Sequence, residues 1–459
     1  MPHATVSARR RAALRCGAAA LAAALAAVAL AGCGSAPRQQ FPTNRAPGSA
    51  LPSAPPPPGS SVRARVDGAA ELVANVRPGQ VAPDAATPVA AAEQAFTVAL
   101  LRQLGSDGSQ NLTVSPASLA LALSMLENGA AGRTRTEIAA ALQASGLSLA
   151  EQNAGWRALV ASWADAAKSD GFSLASANAV WMQRGFPVRK QFLDALIQNY
   201  GAGVWQTDFA QHMAESLQAI DDWCAQHTNG KITKLFDSLD PATVLVLADA
   251  VYFRAEWQTP FLSDRTSDAP FTTADGRTVR VPTMRSSELS APAAVTPGYS
   301  AVQLPYRGGR FAALAIMPTG QSLGSFVTSL TPDRLAQITS SLIGGNVDLT
   351  MPRFTTTSTL DSLPEALHAL GMHSAFGPGA DFSALSPQAV SVGQVVQRDF
   401  LSVTEKGTEA AAVTGIGVVT SIAVPQRVVH LDHPFLFLVR DVKTGAVLFA
   451  SEVMDPAGA

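Results

Sequence analysis

The sequence is poor in the residues that most often carry chemistry. Of its 459 residues, three are cysteine (Cys16, Cys33 and Cys224), four are tyrosine, seven are histidine, and only 15% are charged. Three cysteines cannot build a disulfide framework, so the fold must be held by its core. A net charge of -2 excludes a strongly basic nucleic-acid binder and an acidic-tail protein. No His-Glu-x-x-His or Gly-x-Ser-x-Gly pattern occurs, and Gly230-Lys231 lacks the upstream glycine of a phosphate-binding loop. His430 and His433 sit three apart without a third ligand, which reads as two loop histidines rather than a metal site. Nothing nominates a catalytic residue, a cofactor or a metal. Beyond the N-terminus no apolar run reaches the ~18 residues of a membrane span.

What is present starts with an address. Arg9, Arg10, Arg11 and Arg15 precede an uncharged apolar run from Ala18 to Leu30. That is the layout of an export signal. The run ends Leu30-Ala31-Gly32-Cys33, which resembles a bacterial lipoprotein signal whose cysteine is acylated. Residues 1–32 are therefore expected to be a signal peptide. Cys33 is expected to carry a lipid holding the chain to a membrane, in the bacterial cell envelope or outside the cell. Cys224 is then alone, a half-buried thiol on a helix.

Residues 33–88 are rich in proline, including Pro55 to Pro58, and show weak apolar periodicity. Such a composition buries too little surface to offset chain entropy, so a flexible tether is expected, with at most a short helix over 69–76. From about residue 89 the pattern changes. Helical periodicity runs over Ala91 to Leu104, and Ser115 is placed to cap a helix starting at Pro116. Helices continue to about residue 235. Strand-like runs then dominate, at 244–247, 302–304, 312–317, 347–351, 428–431, 435–439 and 447–450. Helices first and strands later argue an α+β domain over 89–459.

One segment is unusual. Thr404-Glu405-Lys406-Gly407-Thr408-Glu409-Ala410-Ala411-Ala412 opens a run of small and β-branched residues, with no charge from Ala410 to Gln426. As a strand, one face would show Thr408, Ala410, Ala412 and Thr414, all of which can be buried without an unpaired charge. The other face starts with Glu409, which would stay wet. Such a segment fits equally a loop and a central strand.

This segment resembles the hinge of an inhibitory serpin. Further stretches resemble serpin signatures in family order: Asn111 to Ser118, Asn178-Ala179-Val180-Trp181, Asn229-Gly230-Lys231-Ile232, Tyr252 to Trp257, and Asp432 to Phe437. The resemblance covers about residues 89–457. It implies a serpin fold of three β-sheets and about nine helices with an exposed reactive loop. It implies a monomer that traps a target serine protease as a covalent acyl complex when the cleaved loop inserts into the large sheet. The protease supplies the nucleophile, so the chain is an inhibitor and not an enzyme. A non-inhibitory binding module and an inhibitor of cysteine proteases are the alternatives.

The family's spacing from Glu405 puts the reactive bond at Ser421–Ile422. Counting back from Pro434 gives Ala423, so the window is Thr420 to Ala423. All are small or apolar, which favours elastase- or subtilisin-like targets. The resemblance assigns the hinge to Glu405, Gly407, Thr408, Glu409, Ala410, Ala411 and Ala412. It puts Trp257 and Arg353 where the loop enters, with Arg353 facing Glu405, and Ser115 and Ser118 at a buried helix start. Two positions depart from the family: Asp249 stands for an asparagine and Gln397 for a histidine. The carboxylate is expected to accept a hydrogen bond from the glutamine amide.

Overall fold

The computed structural model describes residues 60–66, 68–105, 110–168, 172–240, 242–408 and 427–458. Among them are eighteen strands and nine α-helices, numbered in chain order. The largest sheet has eight strands. Across it run β1 (Ser60–Val66), β2 (Ala69–Ala74), β5 (Val204–Thr207), β4 (Phe172–Gln183), β6 (Leu245–Glu256), β15 (Gly407–Thr408), β14 (Gln394–Thr404) and β13 (Phe354–Leu360). A six-stranded sheet holds β3 (Leu112–Val114), β18 (Val447–Val453), β17 (Phe435–Asp441), β11 (Phe311–Pro318), β10 (Tyr299–Pro305) and β9 (Ala293–Val295). A four-stranded sheet holds β16 (Arg427–His430), β12 (Asn346–Pro352), β8 (Thr278–Ser290) and β7 (Ser267–Thr272).

The helices are α1 (Ala86–Leu104), α2 (Pro116–Glu127), α3 (Gly132–Ala141), α4 (Leu149–Ala166), α5 (Lys190–Tyr200), α6 (Met213–His227), α7 (Leu323–Ser329), α8 (Pro332–Ser340) and α9 (Leu363–Ala369). Helix α2 is apolar nearly all round, with only Leu121 short of full burial, so it runs through the core rather than over it. Pro116 starts it as expected, but Ser115 does not cap it. The Ser115 hydroxyl donates instead to the Leu448 carbonyl on β18, at 2.6 Å, tying the helix start to the six-stranded sheet. A second apolar cluster lies between the large sheet and α6. There Trp181 stacks on Trp205 with centroids 5.2 Å apart, and Trp223 meets both edge-on. Cys224 is buried outright in this cluster rather than half-buried, and burial pushes its thiol up.

The tether ends earlier than its composition implies. Strands Ser60–Val66 and Ala69–Ala74 pair antiparallel and extend the large sheet beyond β5, so 69–74 is a strand, not part of a helix. The physical reason is tertiary: an alanine-rich segment takes extended form because the open edge of β5 offers it a ladder. Glu71 anchors the hairpin. Its buried carboxylate accepts from Arg63 Nε at 2.9 Å, from Arg63 Nη2 at 2.5 Å and from the Gly203 N–H at 3.0 Å. Gly203 is glycine because a Cβ would meet the Leu72 carbonyl oxygen at 2.2 Å. Glu71→Ala should cost about 2 kcal/mol, since it strands a buried N–H and a bidentate guanidinium. Urea unfolding checks this, and an unchanged midpoint would refute the anchoring role.

Candidate functional site

The site is a seam in the large sheet. Strands β6 and β14 run parallel and pair directly from Val246 opposite Gln394 to Tyr252 opposite Phe400. Above that they part. The two residues of β15 fill the gap, Gly407 between Glu256 and Thr404, Thr408 between Ala255 and Val403, antiparallel to both neighbours. The start of the segment singled out in the sequence is therefore already a strand of the sheet.

Several contacts hold it there. The chain turns through Glu405 and Lys406. The Trp257 N–H donates to the Lys406 carbonyl at 2.8 Å, and its indole Nε1–H donates to the Thr404 carbonyl at 2.9 Å. The Phe261 N–H donates to the Glu405 carbonyl at 2.8 Å. The Glu405 carboxylate accepts from the Thr266 hydroxyl at 2.7 Å and lies 3.5 Å from Arg353 Nε. The Arg353 side chain is half exposed, so that ion pair contributes little and the neutral bonds do most of the positioning. Gly407 has φ +149°, and a Cβ on it would meet the Ala255 carbonyl oxygen at 2.0 Å.

Thr408 is fully buried, and its hydroxyl lies 2.6 Å from the hydroxyl of Tyr306. Tyr306 stacks flat on Trp257 with centroids 4.5 Å apart and meets Phe253 edge-on. Burial pushes the Tyr306 hydroxyl far above its usual range, so it stays neutral. Sequence reasoning missed Tyr306. The available signal was a rare residue type: a tyrosine directly after the strand β10; in the structure Tyr306 forms an isolated β-bridge with Trp257.

Lower in the seam a polar cluster is buried beneath β6 and β14. Asp249 accepts from the Ser118 hydroxyl at 2.5 Å and from the Gln397 side-chain amide. The expected carboxylate–glutamine hydrogen bond is thus present. Gln397 also clasps the backbone of Ser115, donating to its carbonyl and accepting from its N–H, both at 3.0 Å. Burial pushes the Asp249 carboxyl up to about 7. One residue here was not foreseen. Asp399 is fully buried beside Gln397, and among the described residues neither of its carboxylate oxygens has a well-formed hydrogen bond; the Ser115 N–H is its one neighbouring donor. Burial and the charge of Asp249 hold its carboxyl well above the usual carboxylate range.

The structure therefore brings together Glu405, Gly407, Thr408, Trp257 and Arg353 at the top of the seam, and Ser115, Ser118, Asp249 and Gln397 beneath it. Glu409, Ala410, Ala411, Ala412 and the bond window Thr420, Ser421, Ile422 and Ala423 lie outside the described residues, as does Cys33. Among the described residues no group of three or more His, Cys, Asp or Glu is arranged to hold a metal ion.

Comparison with known proteins agrees with this architecture. The family profile described as "Serpin (serine protease inhibitor)" matches residues 91–456. An uncharacterized serpin-like protein of Thermococcus kodakarensis is 31% identical over 377 residues, covering 80% of this chain and 86% of that protein. The native-state crystal structure of the thermophilic serpin tengpin superposes with a TM-score of 0.74 at 26% identity, covering 83% of this chain and 96% of that one. Thyroxine-binding globulin in complex with thyroxine superposes with a TM-score of 0.72 at 27% identity, covering 80% and 99%. With three sheets in serpin order and a family match that spans nearly all of the described residues, the chain belongs to the serpin family.

Proposed function

We propose that this chain is an exported serine protease inhibitor that works as a suicide substrate. A target protease cleaves the reactive loop and forms an acyl-enzyme, and the loop then enters the large sheet as a new central strand before water releases the enzyme. The observation that carries this reading is Thr408, already seated between β6 and β14 in strand register. Continuing the same register supports it residue by residue. Ala410 would come to lie between Phe253 and Leu401, Ala412 between Val251 and Asp399, and Thr414 between Asp249 and Gln397. The residues so placed are small or hydroxylic, as a packed interior demands. Glu409 would face outward opposite Arg254, where its charge keeps water and a cation. Strand addition of this kind draws on main-chain hydrogen bonds along its whole length.

The reactive bond in this reading is Ser421–Ile422, within the window Thr420 to Ala423. Elastase- or subtilisin-like enzymes suit these side chains better than enzymes seeking arginine or lysine. The signal-like N-terminus and Cys33 support lipid anchoring at a bacterial envelope, with the folded domain reached through residues 33–59.

The test is to mix the purified chain with pancreatic elastase and with subtilisin and run denaturing gels. A complex that survives denaturant, with a released C-terminal fragment beginning at Ile422 or a neighbour, is expected. Cleavage without a complex, followed by no rise in thermal stability of the cleaved chain, would overturn the reading in favour of a binding role. That second role is the one the fold likeness to thyroxine-binding globulin keeps open.

A further inference from the structure

The pair Asp249 and Asp399 is buried away from solvent where β6 and β14 pair directly, on the line along which the proposed insertion would part them. Both carboxyls are fully buried on the same side of the seam, one on β6 and one on β14. Asp249 pairs across the seam with Gln397, and Asp399 lies two residues further along β14, so the acids are diagonal neighbours. Among the described residues no cation pairs with either acid. The surroundings on that face are neutral: the Ser115 backbone and the Ser118 hydroxyl from α2, Asn178 on β4 beside Asp249, Gln397, and Ser358 on β13 opposite Asp399. The Ser115 N–H donates to Gln397 Oε1 at 3.0 Å and only weakly favours the charged form of Asp399 beside it. The charged and titratable groups nearby belong to the opposite face. Arg398 lies 3.9 Å from Asp237, Lys231 sits over the Phe400 ring, and Asp221 and Cys224 belong to α6.

Two carboxylates buried among neutral polar groups without a cation cannot both be ionised at low cost. When both are charged they repel each other across the boundary that a strand must enter. We propose that Asp249 and Asp399 form a proton-operated latch: a proton held by the pair keeps β6 against β14, and its loss readies the seam to part. An entering strand would separate the two acids by one further strand spacing, about 4.8 Å, and relieve the repulsion. The proposal rests on the reading above that the seam admits a strand.

The sign follows from linkage. The Asp249 carboxyl is raised from 3.8 to about 7 in the folded chain. Its contribution to the closed state is complete below about pH 4 and is lost as pH rises through about 7. Asp399 shifts in the same direction. Acid therefore holds the sheet shut, and neutral to mildly alkaline solution loosens it. Glu127 and Glu93 are raised to about 7 and about 8 and titrate in the same range. Variants of the pair itself must therefore decide.

The experiment uses an acetylated synthetic peptide with the sequence of residues 408–420 as the entering strand and follows its uptake by the full chain from pH 5.5 to 8.5. Uptake by the unaltered chain is expected to accelerate about tenfold over this range, the change one pKa unit of differential stabilisation produces. Asp399→Asn should flatten the profile, and Asp249→Asn should do the same from the other strand. A flat profile in the unaltered chain, or an unchanged rise in both variants, overturns the latch. If no form takes up peptide at any pH, the strand-accepting reading fails instead, and urea unfolding decides the latch. There the unaltered chain must lose stability from pH 5.5 to 8.5 and Asp399→Asn must lose distinctly less, or the latch is wrong as well.

Discussion

Under the proposed trapping mechanism, Thr408→Arg should leave the chain an ordinary substrate. Thr408 is fully buried at the head of the seam, and its hydroxyl has one partner, Tyr306. An arginine there faces the stacked rings of Tyr306 and Trp257 and has no carboxylate beside it. The nearby acids are spoken for: Glu256 pairs with Arg307 at 2.8 Å, and Glu405 is held by Thr266 and Arg353. Burying that guanidinium unpaired would cost several kcal/mol, so the hinge would stay outside and the Tyr306 hydroxyl would lose its partner. Cleavage needs only an accessible loop and should proceed at an unaltered rate. Trapping needs insertion to outrun deacylation, and a barrier higher by about 3 kcal/mol slows insertion more than a hundredfold. On a denaturing gel the stable complex should disappear and the cleaved chain replace it. A complex formed at the original yield would refute insertion as the trapping step.

How much of this was legible before the structure depends on whether the signal was local. The hinge was legible because Gly407-Thr408-Glu409 leads into a long run of small and β-branched residues with no charge from Ala410 to Gln426. The strands β10, β11, β12, β17 and β18 were legible because each carries a short strand-like run, and glycine and proline punctuate those runs. The hairpin β1–β2 was not, because its alanines and Glu71 have no strand preference of their own. They become a strand only when the β5 edge and Gly203 are in place. Ser115 had the local form of a helix cap, yet its hydroxyl is claimed by Leu448, more than 300 residues away in the chain. The pairing of Asp249 with Gln397 was anticipated, because both positions depart from the family together. Tyr306 and Asp399 were missed for a common reason. Each acquires its role from burial beside a strand remote in sequence; the rarity of tyrosine was the one hint for Tyr306, and nothing near Asp399 announces it.

Gly407→Ala tests the same step by shape rather than charge. Gly407 sits at φ +149°, where an L side chain is strained by about 1–3 kcal/mol before any contact is considered. An added Cβ would lie 2.0 Å from the Ala255 carbonyl oxygen and 2.8 Å from the Glu256 Cα. These are backbone atoms of β6, so no side-chain rotation relieves the clash. Moving β6 would break its ladder to β4, which pairs eleven residues without interruption. Releasing β15 breaks far less: two pairs on each side, the Thr408–Tyr306 contact, and the bonds that Trp257 and Phe261 make to the turn. The hinge should therefore leave the seam in the intact chain. The same register recurs after cleavage, so the obstruction also opposes full insertion. Trapping should fall at least about tenfold in yield relative to cleavage, and cleavage should bring a smaller rise in thermal stability than in the unaltered chain. Because the obstruction is steric, the loss should persist across pH and ionic strength. If trapping recovers when either is changed, the close approach of β15 to β6 is not what glycine protects at this position.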